Sequence, residues 1–214
     1  MFAPLKSEVE SRFSRIESFF KDTQYFKGDS AQIAKGIVFV QVYAAYEYTV
    51  TSVFRSALDA IMSHKVPTES LTPYLLAVFL DPQIHSVQDS SATAEWQSRF
   101  RLFEMACSKA PAHVGNTVFP KDGSHFRHSQ LRLMFDILGI KRFPVQRRRH
   151  LGRINEVVDN RNAVAHGGET AEDVGRRYSR TEILHAIRQM RSVCLLLVSA
   201  IKTRCAIPSF HRRK

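Results

Sequence analysis

The chain has 214 residues, 44% of them hydrophobic, with a formal charge of +11 and only 9 Gly and 8 Pro. That suffices for one domain with a sizeable core and excludes a disordered or collagen-like chain. Fifteen Phe against one Trp, with so few turn formers, suit a helical domain better than a sandwich. The pI of about 9.9 favours a polyanionic partner, while basic charge alone also fits a membrane surface or an acidic protein.

In chain order, residues 4–22 read as an amphipathic helix, with Leu5, Val9, Phe13, Ile16 and Phe20 recurring three and four apart. A polar break, Lys27-Gly28-Asp29-Ser30, follows, with Ser30 as a candidate N-cap. The longest helix is expected over 31–64. Its stripe is Ile33, Ile37, Val40, Ala44, Glu47, Thr51, Phe54, Leu58 and Ile61. Glu47 sits inside that stripe, and a buried carboxylate is costly without a cation or several donors. The hydroxyl of Tyr43, Tyr46 or Tyr48 could serve, and so could a paired arginine.

Residues 68–130 are less regular. Short helices are expected near 71–80 and 91–109, with turns at Asp81-Pro82 and Gln88–Ser91. Residues 116–123 read as an extended piece entering a turn. A helix over 128–138 should bury Leu131, Met134, Phe135 and Leu138 and stop at Gly139. The densest positive run follows: Lys141, Arg142, Arg147, Arg148, Arg149 and Arg153. It reads either as a phosphate-contacting surface or as a solvated face. Another helix is expected over 145–165. The last, 180–204, carries Ile183, Ile187, Met190, Cys194, Leu197 and Ile201, a stripe suited to pack against that of the long helix. The tail from Phe210 to Lys214 should fray.

Cys107, Cys194 and Cys205 have no metal-ligand spacing and are odd in number, so reduced thiols in a cytoplasmic protein are expected. His125 and His128 are three apart, but no Cys or carboxylate is spaced to complete a set. Neither a metal nor a cofactor is expected. The N-terminus does not read as a signal peptide, and no run is expected to span a bilayer.

The most informative stretch is Arg161-Asn162-Ala163-Val164-Ala165-His166, followed by Gly167-Gly168. Asn162 and His166 are one helical turn apart and share a face. An imidazole can move a proton near neutral pH, and a guanidinium can hold a phosphate through two parallel hydrogen bonds. Together they suffice for cutting RNA without a metal. Arg161 and His166 are separated by roughly 140° around an ideal helix. Two copies about a two-fold axis would bring both residue types around one groove more readily than one copy.

The Arg-Asn…His motif, late in a basic all-helical chain and followed by one long helix, resembles the HEPN superfamily. The likeness is closest to the HEPN-like nucleases of prokaryotic toxin–antitoxin and phage-defence systems. Tyr43-Ala44-Ala45-Tyr46-Glu47 and Phe119-Pro120-Lys121-Asp122-Gly123 are similar to those families as well. The resemblance covers roughly residues 30–205. It implies an all-α HEPN-type bundle in a single domain, 1–214. The helical core would cover about 30–65 and 128–205, with an irregular insertion over about 66–127. It also implies a homodimer and a metal-independent endoribonuclease with Arg161, Asn162 and His166 in its active site. RNA is the expected partner, with Arg147, Arg148, Arg149 and Arg153 on its backbone. An antitoxin or other regulatory protein is a further expected partner. Glu47 is expected to face Arg161 or Asn162. The alternative is a non-catalytic HEPN module that binds RNA or a protein. Some HEPN toxins carry a Tyr two residues after the His. Gly168 stands there instead, so regulation through such a Tyr is not expected.

Overall fold

The computed structural model of the protein describes residues 2–114, 126–140 and 143–205. The expected extended piece at 116–123, His125, Lys141, Arg142 and the tail from Phe210 lie outside the described residues. Among those described there are helices and short turns, and no strand beyond one isolated bridge between Pro67 and Pro111. The helices are α1 (Phe2–Asp22), α2 (Gly28–Ser63), α3 (Pro73–Phe79), α4 (Asp81–Gln88), α5 (Glu95–Ala106), α6 (His128–Ile137), α7 (Arg148–Ala165), α8 (Ala171–Arg176) and α9 (Arg180–Cys205).

The long α2 is the spine, and α1, α7, α8 and α9 pack around it. The stripe expected on α9 is fully buried, from Ile183 to Ile201. The five apolar residues of α1 are buried too, so the core reaches beyond the 30–65 and 128–205 expected from sequence. Arg180 fastens α1 to α9. Its guanidinium lies 4.3 Å from the Phe20 ring centroid and donates to the Phe20 carbonyl at 2.5 Å, satisfying a helix-end oxygen.

The stripe expected on α2 is correct only in its C-terminal half. Phe54, Leu58 and Ile61 are buried, whereas Ile33 is 44% exposed and Ala44 faces solvent. The buried apolar and aromatic side chains of the first half are Ala34, Val38, Phe39, Val42, Tyr43, Ala45 and Tyr46. A helix with neighbours on several sides buries more than one stripe, so periodicity alone cannot choose its faces. The start of α2 also differs. Lys27 is the N-cap, and Gly28 takes φ +56, which a side chain adopts only with strain. By length and composition α2 and α9 both qualify as bilayer spans, against the sequence expectation. Here their apolar faces meet one another and the rest of the core.

The expected turn at Asp81-Pro82 instead opens α4. Proline fits the first turn of a helix, where its missing N–H is not needed. α6 ends as expected. Gly139 has φ +71, its N–H donates to the Asp136 carbonyl at 2.9 Å, and that of Ile140 donates to Phe135 at 2.9 Å.

α8 is a helix the sequence did not announce. Thr170 caps it by accepting from the Asp173 N–H at 3.1 Å. It lies flat against the start of α2 through two glycines. A Cβ on Gly36 would overlap the Ala171 carbonyl, and one on Gly175 would overlap that of Gln32. The Lys35 ammonium, itself buried, donates to the Tyr178 carbonyl at 2.5 Å. These contacts pin the connection from α7 to α9.

Candidate functional site

α7 runs to Ala165, and His166 is its C-cap. Gly167, at φ +70, turns the chain, and its N–H donates to the Val164 carbonyl at 3.3 Å. The Glu169 N–H then reaches the Ala163 carbonyl at 2.9 Å, and Glu169 pairs with Arg177 just beyond α8. The helix therefore stops where His-Gly-Gly says it should, and the stop leaves His166 exposed at its end.

Arg161 lies one turn back and half buried, turned toward α2. Its guanidinium carbon is 4.7 Å from the centroid of the Tyr43 ring, and its Nη1 donates to Asn162 Oδ1 at 3.1 Å. The ring face attracts the cation, and the amide oxygen fixes one edge of the guanidinium. Tyr43 is itself held. It is buried, and its hydroxyl donates to Glu47 Oε1 at 3.3 Å. Burial, then the Glu47 charge, push the Tyr43 phenol up to about 12, against the opposing pull of Arg161. The phenol therefore stays protonated at neutral pH and keeps donating.

Glu47, Tyr43, Arg161 and Asn162 thus form one chain of contacts between α2 and α7. Glu47 is half buried rather than fully buried, and Tyr43 connects it to the guanidinium. Asn162, which the sequence places on one face with His166, accepts from Arg161 through its side chain. Its backbone carbonyl accepts from the His166 N–H at 3.0 Å.

One layer deeper, Asn160 is buried and donates to the Tyr178 hydroxyl at 2.8 Å. The Tyr178 ring packs on Phe39 with centroids 4.8 Å apart. This bond ties the motif helix to the α8–α9 connection. Sequence reasoning passed over it because an Asn before an Arg carries no periodic signal.

The basic run divides. Arg147, Arg148 and Arg149 are exposed at the start of α7. Arg153 is committed within the fold, its Nε donating to Gln189 on α9 at 2.9 Å and its Nη1 to Glu156 at 2.7 Å. His150, in the same run, is buried. Burial, then the charges of Arg149 and Arg147, lower its pKa. Among the described residues no group of three or more His, Cys, Asp or Glu is placed to share a metal ion.

A model of the RiboL-PSP-HEPN family matches residues 7–203, from within α1 to within α9. The chain belongs to this family. No curated protein and no solved structure matches it. HEPN domains are in general ribonucleases, and an all-helical domain with RNA as its expected partner agrees with that membership. The match covers most of α1 as well, so the N-terminal helix belongs to this HEPN domain and is not an appendage.

Proposed function

We propose that this HEPN domain is a metal-independent endoribonuclease, acting as a toxin or defence effector. Its products would be a 2′,3′-cyclic phosphate and a 5′-hydroxyl. The observation that carries the reading is the pairing of a fixed guanidinium with an exposed imidazole at one helix end: Arg161 held by Tyr43 and Asn162, and His166 presented by Gly167. In the reaction the 2′-oxygen attacks phosphorus while its proton passes to a neutral His166. The bond from phosphorus to the 5′-oxygen breaks, and that oxygen takes a proton from an imidazolium or from water. Arg161 neutralises the charge that grows on the non-bridging oxygens. Arg147, Arg148 and Arg149 hold the RNA backbone on either side. A homodimer would supply the second His or Arg where one copy cannot aim both, and a regulatory protein would hold the enzyme in check.

The test is cleavage of total RNA by purified protein in EDTA. Wild type should cut, leaving termini that polynucleotide kinase can phosphorylate directly. His166→Ala and Arg161→Ala should each lose about a hundredfold to ten-thousandfold in rate while melting like wild type. Wild-type cleavage by either variant would remove the assigned roles, and full inhibition by EDTA would replace the mechanism with a metal-assisted one.

A further inference from the structure

The outward face of α7 is a polar stripe. Arg148, Gly152, Asn155, Asp159, Asn162 and His166 follow one another at intervals of four and three and fall within about 80° of helix surface. Arg148, Gly152, Asp159 and His166 are exposed, and Asn155 and Asn162 are half-buried. α6 braces one edge of this face. Arg127 Nη2 donates to Asp159 Oδ1 at 2.5 Å, and Asn155 Nδ2 lies 3.1 Å from His128 Nδ1. Gly152 has no packing reason to lack a side chain, since a Cβ there would meet nothing within 4 Å. A glycine inside a helix weakens it, and one that the packing does not require leaves room for a ligand close to the backbone.

Asp159 stands out on this face. The chain carries +11, arginines open the helix and His166 closes it, yet a carboxylate lies on the line between them. A carboxylate repels phosphate, so the part of an RNA strand that it can meet favourably is a base. Asp159 precedes His166 by two turns, about 10 Å along the axis and on the same face. The nucleotide beside a phosphate held at His166 comes within its reach. The bond from Arg127 engages Oδ1, and an ionised carboxylate has about four acceptor sites, so capacity remains for a base. Guanine is the base whose Watson–Crick edge offers two adjacent donors, the N1–H and the 2-amino group. Adenine and cytosine set a ring acceptor beside their amino group, and uracil flanks its single N–H with two carbonyls. In those three a lone pair would face the carboxylate.

We infer that Asp159 reads a guanine beside the scissile phosphate, with single-stranded RNA running along the α7 stripe from Arg148 to His166. The inference rests on the nuclease reading of the same helix end and adds its base specificity. A base shows its Watson–Crick edge to a side chain only when unpaired, so the substrate is a single strand or a loop and not a duplex. Arg127 holds the carboxylate in place and offsets its charge toward the neighbouring phosphates. Gly152 leaves room for the sugar–phosphate backbone between Arg148 and Asn155.

The experiment maps the cleavage ends that the full chain produces in a random pool of single-stranded RNA. Wild type should cut mainly where guanine occupies one fixed position beside the broken bond. Asp159→Asn should keep the wild-type circular dichroism and lower the rate at guanine relative to adenine by about tenfold or more, the worth of a two-bond base contact. Arg127→Gln breaks the same ion pair but keeps the carboxylate, so guanine should remain preferred. Inosine, which lacks the 2-amino group, should be cut at a rate between guanine and adenine, and 7-deazaguanine should be cut like guanine. Binding gives a second readout that needs no cleavage. In His166→Ala, a labelled oligouridine with one central guanine should bind more tightly than its adenine counterpart, and adding Asp159→Asn should erase the difference. Cleavage without base preference, or a preference lost equally in Arg127→Gln, overturns the inference. So does tighter binding of both oligonucleotides after Asp159→Asn with their ratio unchanged, which would make Asp159 a surface ion pair only. If wild type cuts nothing while His166→Ala still prefers the guanine strand, the nuclease reading falls and the base reading stands.

Discussion

The C-terminal end of α7 and the helix α5 use aromatic residues in opposite ways. At α7 the rings face inward: Tyr43 lies under Arg161, and Tyr178 meets Asn160 and Phe39. Tyr43, Asn160 and Arg161 each have a hydrogen-bond partner there, and two glycines press α8 onto α2 behind them. At α5 Trp96, Phe100 and Phe103 face outward and the subunit buries none of them. The difference separates residues that position a side chain for chemistry from residues that the subunit leaves uncovered. Rigid packing belongs to the first region and tolerance of substitution to the second.

The comparison breaks most easily at the α2–α8 crossing. Gly36→Ala or Gly175→Ala should cost about 1–3 kcal/mol, because the added methyl meets a backbone carbonyl that can move only with its helix. The check is a thermal melt, where a domain of this size should lose about 2–4 °C per kcal/mol. An unchanged melt would mean that α8 is not pinned, and with it the placement of His166.

A smaller effect separates ring from hydroxyl at Tyr43. Tyr43→Leu removes the face beneath Arg161, and the cleavage rate should fall about 3- to 30-fold, the worth of one cation–π contact. Tyr43→Phe keeps the face and loses the hydroxyl that meets Glu47 and the Phe126 backbone, so its rate should stay much closer to wild type. Equal losses in the two variants would shift the weight from the ring to Glu47.

His150 offers a pH-dependent test in the well-packed region. Its folded pKa lies below the unfolded value, so the unfolded chain takes up a proton that the folded one resists. Its contribution is therefore fully present above the unfolded pKa of about 6.5 and is lost as pH falls through that value toward the folded pKa. Melting temperatures measured from pH 7.5 to 5.5 should fall less steeply for His150→Leu than for wild type. Parallel curves would show that His150 does not carry this dependence.

The smallest effect is expected at α5. Phe100→Ser and Phe103→Ser should each leave the stability within about 0.5 kcal/mol of wild type, since neither ring is buried in the subunit. Urea melts test this. A loss of about 2 kcal/mol would mean that these rings pack inside their own subunit, erasing the contrast with α7.

The sequence by itself determined the helices that bury a single apolar face. α1 and α9 follow their periodicity residue by residue, and α6 and α7 stop at the glycines that a helix end selects. It also determined the family signal, because Arg161-Asn162 and His166 are a local pattern that folding does not rearrange. Tertiary structure decided what depends on more than one neighbour. It chose which faces of α2 turn inward, because four helices surround that spine. It brought Tyr43 beneath Arg161 across more than a hundred positions of chain, and it withdrew Arg153 from the basic run by offering it Gln189 and Glu156. It made α8, a helix of six residues too short to stand on propensity alone, by pressing Gly175 onto α2. Periodicity records where an apolar face lies along a helix. Only packing determines whether that face is covered, and α5 is the helix where the subunit leaves it bare.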